Sequence, residues 1–126
     1  MSALSEKDPL QSHVEQIRAG IENGVTYEDA GMECPEEYGG DPSEIISAFD
    51  YLEGVLDIEY IVNGEGHYLG ARVLVAFGGP NIWINTRTRE VEGHWWGDAA
   101  RSSYIDDAMG LNAALEELWY CSGVLA

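Results

Sequence analysis

The chain has 126 residues, of which 23 are Asp or Glu and only 6 are Lys or Arg, so its formal net charge is -17 at pH 7. A charge of this size repels nucleic acids and anionic membranes, which disfavours direct binding to either. Apolar residues make up 45% of the chain, with 4 Trp and 7 Tyr, and this composition argues against intrinsic disorder. We expect one folded domain over residues 1–126, with residues 1–7 disordered.

The N-terminal part is predicted to form a helix followed by an acidic loop. Pro9 suits the first position of a helix, and apolar residues then recur every three or four positions as far as Gly24. These apolar positions are Leu10, Val14, Ile17 and Ile21. Over residues 25–40 the periodicity disappears, and glycine, proline and acidic residues predict a long surface loop or a short irregular helix.

A second helix is predicted to start directly after this loop. Asp41 suits the N-cap position, Pro42 follows it, and Glu44 lies three residues beyond the cap. A broad apolar face supports this helix, formed by Ile45, Ile46, Phe49, Leu52 and Val55.

Beyond Gly54 the apolar period changes from helical to two, which indicates strands. The pattern predicts strands at residues 58–62, 68–77, 82–86 and 91–96, joined by turns rich in glycine and asparagine. A C-terminal helix is predicted over residues 106–121. The predicted fold class is therefore α+β, a two-layer domain in which a four-stranded antiparallel β-meander is flanked by N-terminal helices and a C-terminal helix. The helices would cover one sheet face, and the other face would meet water or a partner.

The acidic residues are concentrated in the N-terminal half, and most densely over residues 28–44. This block contains seven carboxylates and no Lys or Arg: Glu28, Asp29, Glu33, Glu36, Glu37, Asp41 and Glu44. Solubility explains scattered acids, but it does not require the exclusion of cations from 17 successive residues. The block is either a solvated loop or a docking surface for a basic protein.

Two adjacent tryptophans suggest a second contact. Trp95 and Trp96 lie on the predicted fourth strand, where successive side chains point to opposite faces, so one should enter the core and the other should not. We expect Trp96 to be exposed and to bind a partner, the alternative being that a helix or loop covers it. Trp83, Trp119 and Tyr60 are expected in the core.

Motifs for catalysis are weak, and we expect no enzyme, no catalytic residue, no metal site and no cofactor. The Gly78-Gly79-Pro80-Asn81 turn lacks the glycine spacing and the following helix of a phosphate-binding loop. His94 and Asp98 with His67 or Cys34 could be assembled into a metal site, but no established ligand spacing is present. A small metal-dependent enzyme remains the second alternative. Cys34 and Cys121 are expected to be free thiols, with a disulfide as the alternative.

Residues 78–86 (GGPNIWINT) and 93–98 (GHWWGD) are similar to a motif in uncharacterised mobile-element proteins. As a class, the chain resembles the small acidic inhibitors of phages and mobile elements, which include anti-CRISPR proteins, antirestriction proteins and other DNA mimics. The resemblance implies inhibition by binding, without catalysis, of a nucleoprotein complex or nuclease of a host defence system. It also implies action in the cytoplasm of the host bacterial cell, which agrees with the lack of a secretory signal or transmembrane segment.

We therefore expect a non-catalytic inhibitor that binds a basic nucleic-acid-binding surface of a bacterial defence complex. Its carboxylates would stand in for phosphates, and nucleic acid would lose access to the occupied surface. The alternative is an immunity protein or antitoxin that neutralises a basic toxin. The contact would be the same in both cases, and only the partner would differ. The sequence does not indicate an oligomeric state.

Overall fold

The computed structural model describes residues 9–122 and has an α+β fold, with helices against one face of an antiparallel sheet. The helices are α1 (Pro9–Asn23), α2 (Tyr27–Ala30), α3 (Ala48–Glu53) and α4 (Leu111–Cys121), and a 3-10 turn spans Glu36–Tyr38. The strands are β1 (Asp57–Val62), β2 (Tyr68–Ala76), β3 (Asn81–Asn85), β4 (Glu90–Trp95) and β5 (Asp98–Ser103). They pair in chain order as a meander. The α+β class is confirmed, and the expected disorder of residues 1–7 falls outside the described residues.

Helix α1 packs against β4 and β5, and a glycine makes the close approach possible. The apolar spacing of the helix buries Leu10, Val14 and Ile21. A Cβ atom added at Gly93 in β4 would lie 2.7 Å from a methyl carbon of Val14 and 2.9 Å from one of Leu10. The helix therefore rests directly on the strand backbone, where any larger residue would separate the two layers.

Helix α4 covers another part of the same face, against β2 and α3. It buries Leu111, Leu115 and Trp119, and the Trp119 ring lies 5.3 Å from that of Tyr60, centroid to centroid. The Asp107 carboxylate accepts three backbone N–H groups at the start of the helix, with distances of 2.8 to 3.0 Å. These bonds satisfy donors that a helix N-terminus leaves unpaired. Within residues 9–122 no helix is long and apolar enough to cross a lipid bilayer.

The sheet has five strands, and the prediction of four was wrong in this detail. The fifth, β5, has the sequence DAARSS, which lacks the β-branched and aromatic residues that mark strands. It forms because a two-residue turn folds it back on β4, where Gly93 pairs with Ala100. Ala100 is buried, and its small side chain fits the space beside α1.

The second helix is shorter than predicted, because its expected first turns have other partners. Asp41 Oδ1 accepts the backbone N–H and the hydroxyl of Ser43 at 2.9 and 2.8 Å, which makes a local turn. Ile45 then pairs with Thr26 in an antiparallel bridge and is half exposed. Helix α3 begins only at Ala48, where the Ser47 hydroxyl accepts the Asp50 N–H at 3.1 Å.

The sheet face away from α1 and α4 is polar and contains Trp83, so the expected core position of this residue was wrong. Its neighbours Ile82 and Ile84 are fully buried, and strand alternation therefore turns Trp83 to the opposite face. There the Arg72 guanidinium lies 4.2 Å from the Trp83 ring centroid and 3.0 Å from a carboxylate oxygen of Glu59. The cation–π contact and the ion pair make this indole part of a polar surface.

Candidate functional site

The acidic block forms one closed loop, residues 26–45, which we call the acidic loop. Its two ends are joined by backbone hydrogen bonds from Tyr27 N to Glu44 O (3.0 Å) and from Ile46 N to Val25 O (2.7 Å). A further bond runs from Glu28 N to Pro42 O at 2.9 Å. A loop whose ends meet in this way is compact and holds its side chains in one region of the surface.

Backbone hydrogen bonds, rather than acidic side chains, organise most of the acidic loop. Thr26 Oγ1 caps α2 by accepting the Asp29 N–H at 3.1 Å. Met32 N donates to Tyr27 O at 2.9 Å, and Gly40 N donates to Pro35 O at 3.1 Å. The sequence predicted a long loop or a short irregular helix, and the segment contains both a helical turn, α2, and the 3-10 turn.

The seven predicted acidic residues all lie on the acidic loop with exposed side chains: Glu28, Asp29, Glu33, Glu36, Glu37, Asp41 and Glu44. None of them forms an ion pair within residues 9–122. The ion pairs of that range join Arg18 to Glu15 and Glu22, Arg72 to Glu59, and Arg101 to Glu90, and His67 Nδ1 lies 3.6 Å from a carboxylate oxygen of Glu65. Three arginines thus have acidic partners elsewhere, and the charge of the acidic loop is not compensated.

Asp41 is the loop carboxylate with a clear internal role. The hydrogen bonds from Ser43 hold the pKa of Asp41 below its ordinary value, because they stabilise the charged form. Asp41 therefore stays ionised at mildly acidic pH while it shapes the turn before α3.

Tyr27 fixes the root of the acidic loop to the body of the protein. Its side chain is fully buried, and its hydroxyl donates to Asp50 Oδ2 at 2.9 Å. The Tyr27 hydroxyl oxygen also accepts the Ser47 N–H at 3.4 Å. Burial raises the pKa of Tyr27, and the hydrogen bond to Asp50 raises it further, so the hydroxyl remains neutral at physiological pH.

Tyr27 and Asp50 are positioning residues that the sequence analysis missed. A tyrosine next to acidic residues resembles other loop residues in sequence, and nothing local indicates that its side chain enters the core. Only the pairing of residues 26 and 45 brings Tyr27 next to α3.

Trp96 is 89% exposed, as expected, but it lies in the turn between β4 and β5 rather than on a strand. Trp95 ends β4 and is 36% exposed, so the expectation that one of the two enters the core was wrong. Trp96 and Gly97 have φ values of +54° and +85°, which are typical of a two-residue type I′ turn. A bulky residue is strained at positive φ, and Asn is usual at the first position.

We expect Trp96→Asn to raise the free energy of unfolding by about 1 kcal/mol, because Asn tolerates positive φ and the exposed indole loses few contacts. Denaturant unfolding measures the change. Trp96→Phe is the matched control, since it keeps a bulky ring at the same φ and should leave stability nearly unchanged. A destabilised Trp96→Asn variant would show that the indole supports the fold.

Trp96 lies outside the acidic loop, and a second exposed aromatic residue lies near it. Phe77, 71% exposed, lies on the neighbouring turn, because β3 pairs with β4 through Asn81 and His94. The sequence analysis did not select Phe77, although its position directly before a Gly-Gly-Pro turn is the signal that it ends a strand. Two large aromatic side chains are thus exposed on adjacent turns at one end of the sheet.

The residues considered for a metal site are spread over the fold. His94 pairs with Asn81 near one end of the sheet, whereas His67 lies in the loop before β2, near the other end. Across residues 9–122 no three His, Cys, Asp or Glu side chains form a group that could hold a metal ion. Cys34 and Cys121 are both free.

The acidic loop presents an anionic surface. Rigid backbone turns present its carboxylates to solvent, and the buried Tyr27 holds its root. Such a surface can bind cations of a partner at many points. Comparisons with protein-family models, curated proteins and solved structures found no match to this chain.

Proposed function

We propose that the protein is a non-catalytic inhibitor that binds a basic nucleic-acid-binding surface of a bacterial defence complex through its acidic loop. The observation that supports this proposal is a closed loop of seven exposed carboxylates without a cation or an ion pair. Generic solubility requires neither the closure of the loop nor its attachment through a buried tyrosine.

The physics of the contact follows from the charge of the acidic loop. Arg and Lys side chains that bind phosphates also bind carboxylates, with charge-assisted hydrogen bonds in both cases. The loop would occupy such a surface as a competitor of nucleic acid. A net charge of -17 would speed association with a basic groove above the ordinary range of about 10⁵ to 10⁷ M⁻¹s⁻¹.

Trp96 would supply a second, apolar contact with the same partner. An exposed tryptophan is a frequent source of binding energy at protein interfaces. The indole of Trp96 lies in solvent, and its residue adopts a positive φ in the turn. The acidic loop would set the association rate, and Trp96 would slow dissociation.

The experiment is capture from a bacterial host lysate, followed by competition. The immobilised protein and a charge-reversed variant, with Glu33→Lys, Glu36→Lys and Glu37→Lys together, are compared as bait. The captured partner is purified, and its affinity for nucleic acid is measured with and without the protein. We expect capture by the unmodified protein alone and a loss of nucleic-acid binding at saturation.

Two outcomes would contradict the proposal. A partner that keeps its nucleic-acid affinity in the saturated complex would exclude competition for that surface. A basic toxin that loses its toxicity on binding would instead establish the immunity protein or antitoxin alternative.

A further inference from the structure

A groove of about 690 Å³ with both apolar and polar lining residues lies at the root of the acidic loop, between that loop, α1 and α3. Its lining includes Ile17 of α1, Met32 of the acidic loop, Tyr51 of α3 and Val75 of β2. Val25, Ile46 and Val55, which lie between these elements, add further apolar surface. The volume is within the range of about 300 to 1,000 Å³ that is typical of ligand sites in proteins. It has room for several apolar side chains of a bound segment.

One wall of the groove belongs to the acidic loop. Asp29, Ala30 and Met32 line it, so one carboxylate of the acidic loop, that of Asp29, borders the groove directly. No Lys or Arg is among the lining residues of this groove. An occupant therefore meets apolar side chains and, at the rim, the Asp29 carboxylate, with Gln16, Asn23 and Tyr51 as further polar groups.

We propose that this groove receives an amphipathic basic helix of the partner, with apolar side chains in the groove and Lys or Arg side chains against the acidic loop. The proposal rests on the proposed function and specifies the part of the partner that is recognised. Charge complementarity favours this occupant. A nucleic acid or an anionic membrane would be repelled, and a second copy would bring another charge of -17 to the same rim. Helices bind in grooves through apolar residues spaced at i, i+3, i+4 and i+7.

The test uses two labelled peptides of 18 residues, both made of the same numbers of Leu, Lys and Ala. In the first peptide the leucines share one helical face, and in the second the order is scrambled so that they surround the helix. Fluorescence anisotropy measures the affinity of each peptide for the full-length protein. We expect the amphipathic peptide to bind about tenfold more tightly, because both carry the same charge and only the first fits the groove.

Substitutions in the protein test whether the preference for the amphipathic peptide depends on the groove. Ala30→Trp fills the groove from the acidic loop, and Ala19→Phe fills it from α1 should the first variant fail to fold. Either should reduce the tenfold preference to less than threefold. The matched control is Ala113→Trp, an exposed alanine of α4 outside the groove, which should leave the preference unchanged.

The outcomes separate this proposal from the proposed function. Equal affinity for the two peptides, or a full preference in the filled variants, would overturn the groove proposal. If the charge-reversed variant bound both peptides more weakly than the unmodified protein, the proposed binding role of the acidic loop would still stand. If charge reversal changed neither affinity, the proposed function would fail as well. A dimer that Ala30→Trp dissociates would identify a second copy as the occupant and also overturn the groove proposal.

Discussion

Tyr27→Ala is expected to lower the free energy of unfolding by about 3–5 kcal/mol and to detach the acidic loop from α3. The fully buried ring would leave a cavity, and replacing buried aromatic side chains by alanine typically costs this much. The hydroxyl contacts to Asp50 and Ser47 would be lost as well. Denaturant unfolding measures the loss, and amide exchange of residues 26–45 reports whether the loop opens.

The control for this variant is Tyr27→Phe, which keeps the ring and removes only the hydroxyl. Its cost should be about 1.5–3 kcal/mol, the usual net contribution of a hydrogen bond to a charged group, here the Asp50 carboxylate. Partner binding should weaken strongly with alanine and little with phenylalanine, because the ring keeps the root of the loop in place. Similar binding by both variants would show that the position of the acidic loop does not matter for recognition.

The difference between the unmodified protein and Tyr27→Phe should also depend on pH. The folded-state pKa of Tyr27 is raised above its ordinary value near 10, so its contribution is fully present below that pH. As the pH rises above 10 towards the folded-state pKa, Tyr27 ionises in the unfolded chain but not yet in the folded protein, and this progressively removes the contribution. The stability of the unmodified protein should therefore fall towards that of Tyr27→Phe at alkaline pH.

Local patterns predicted the elements whose side chains alternate regularly between core and solvent. The apolar spacing from Leu10 to Ile21 found α1, and period two found four strands, because burial of one face controls both patterns. Strand β5 has no such pattern, since small residues next to α1 leave no hydrophobic signal. Its presence depends on the Trp96–Gly97 turn and on the edge offered by β4.

The candidate site was predictable in composition and not in geometry. A cation-free acidic segment can be read from the sequence, but the β-bridge between residues 26 and 45 is a tertiary contact, and it replaces the first turns of the expected second helix. The groove depends on the same contact, because its walls come from residues distant in sequence. The environment of Trp83 was not predicted from the sequence, because it depends on the register of β3, which places this residue on the polar face of the sheet.

The charge-reversed variant, with lysine at positions 33, 36 and 37, is expected to associate with the captured partner at least tenfold more slowly at about 50 mM salt. Each substitution adds two positive charges, so the net charge changes from -17 to -11. Charges that steer encounter affect association more than dissociation, and salt screens them within about 10 Å at 0.1 M. The difference should therefore shrink as salt rises, in stopped-flow or surface-binding kinetics.

The matched control places the same three charges elsewhere, with Glu65→Lys, Glu116→Lys and Glu117→Lys, all at exposed positions outside the acidic loop. The net charge is then identical in both variants, and only its location differs. The loop variant should keep its free energy of unfolding within about 0.5 kcal/mol, because these three exposed side chains form no ion pair in residues 9–122. Equal slowing in both variants would mean that total charge alone steers association, and it would remove the acidic loop from the interface.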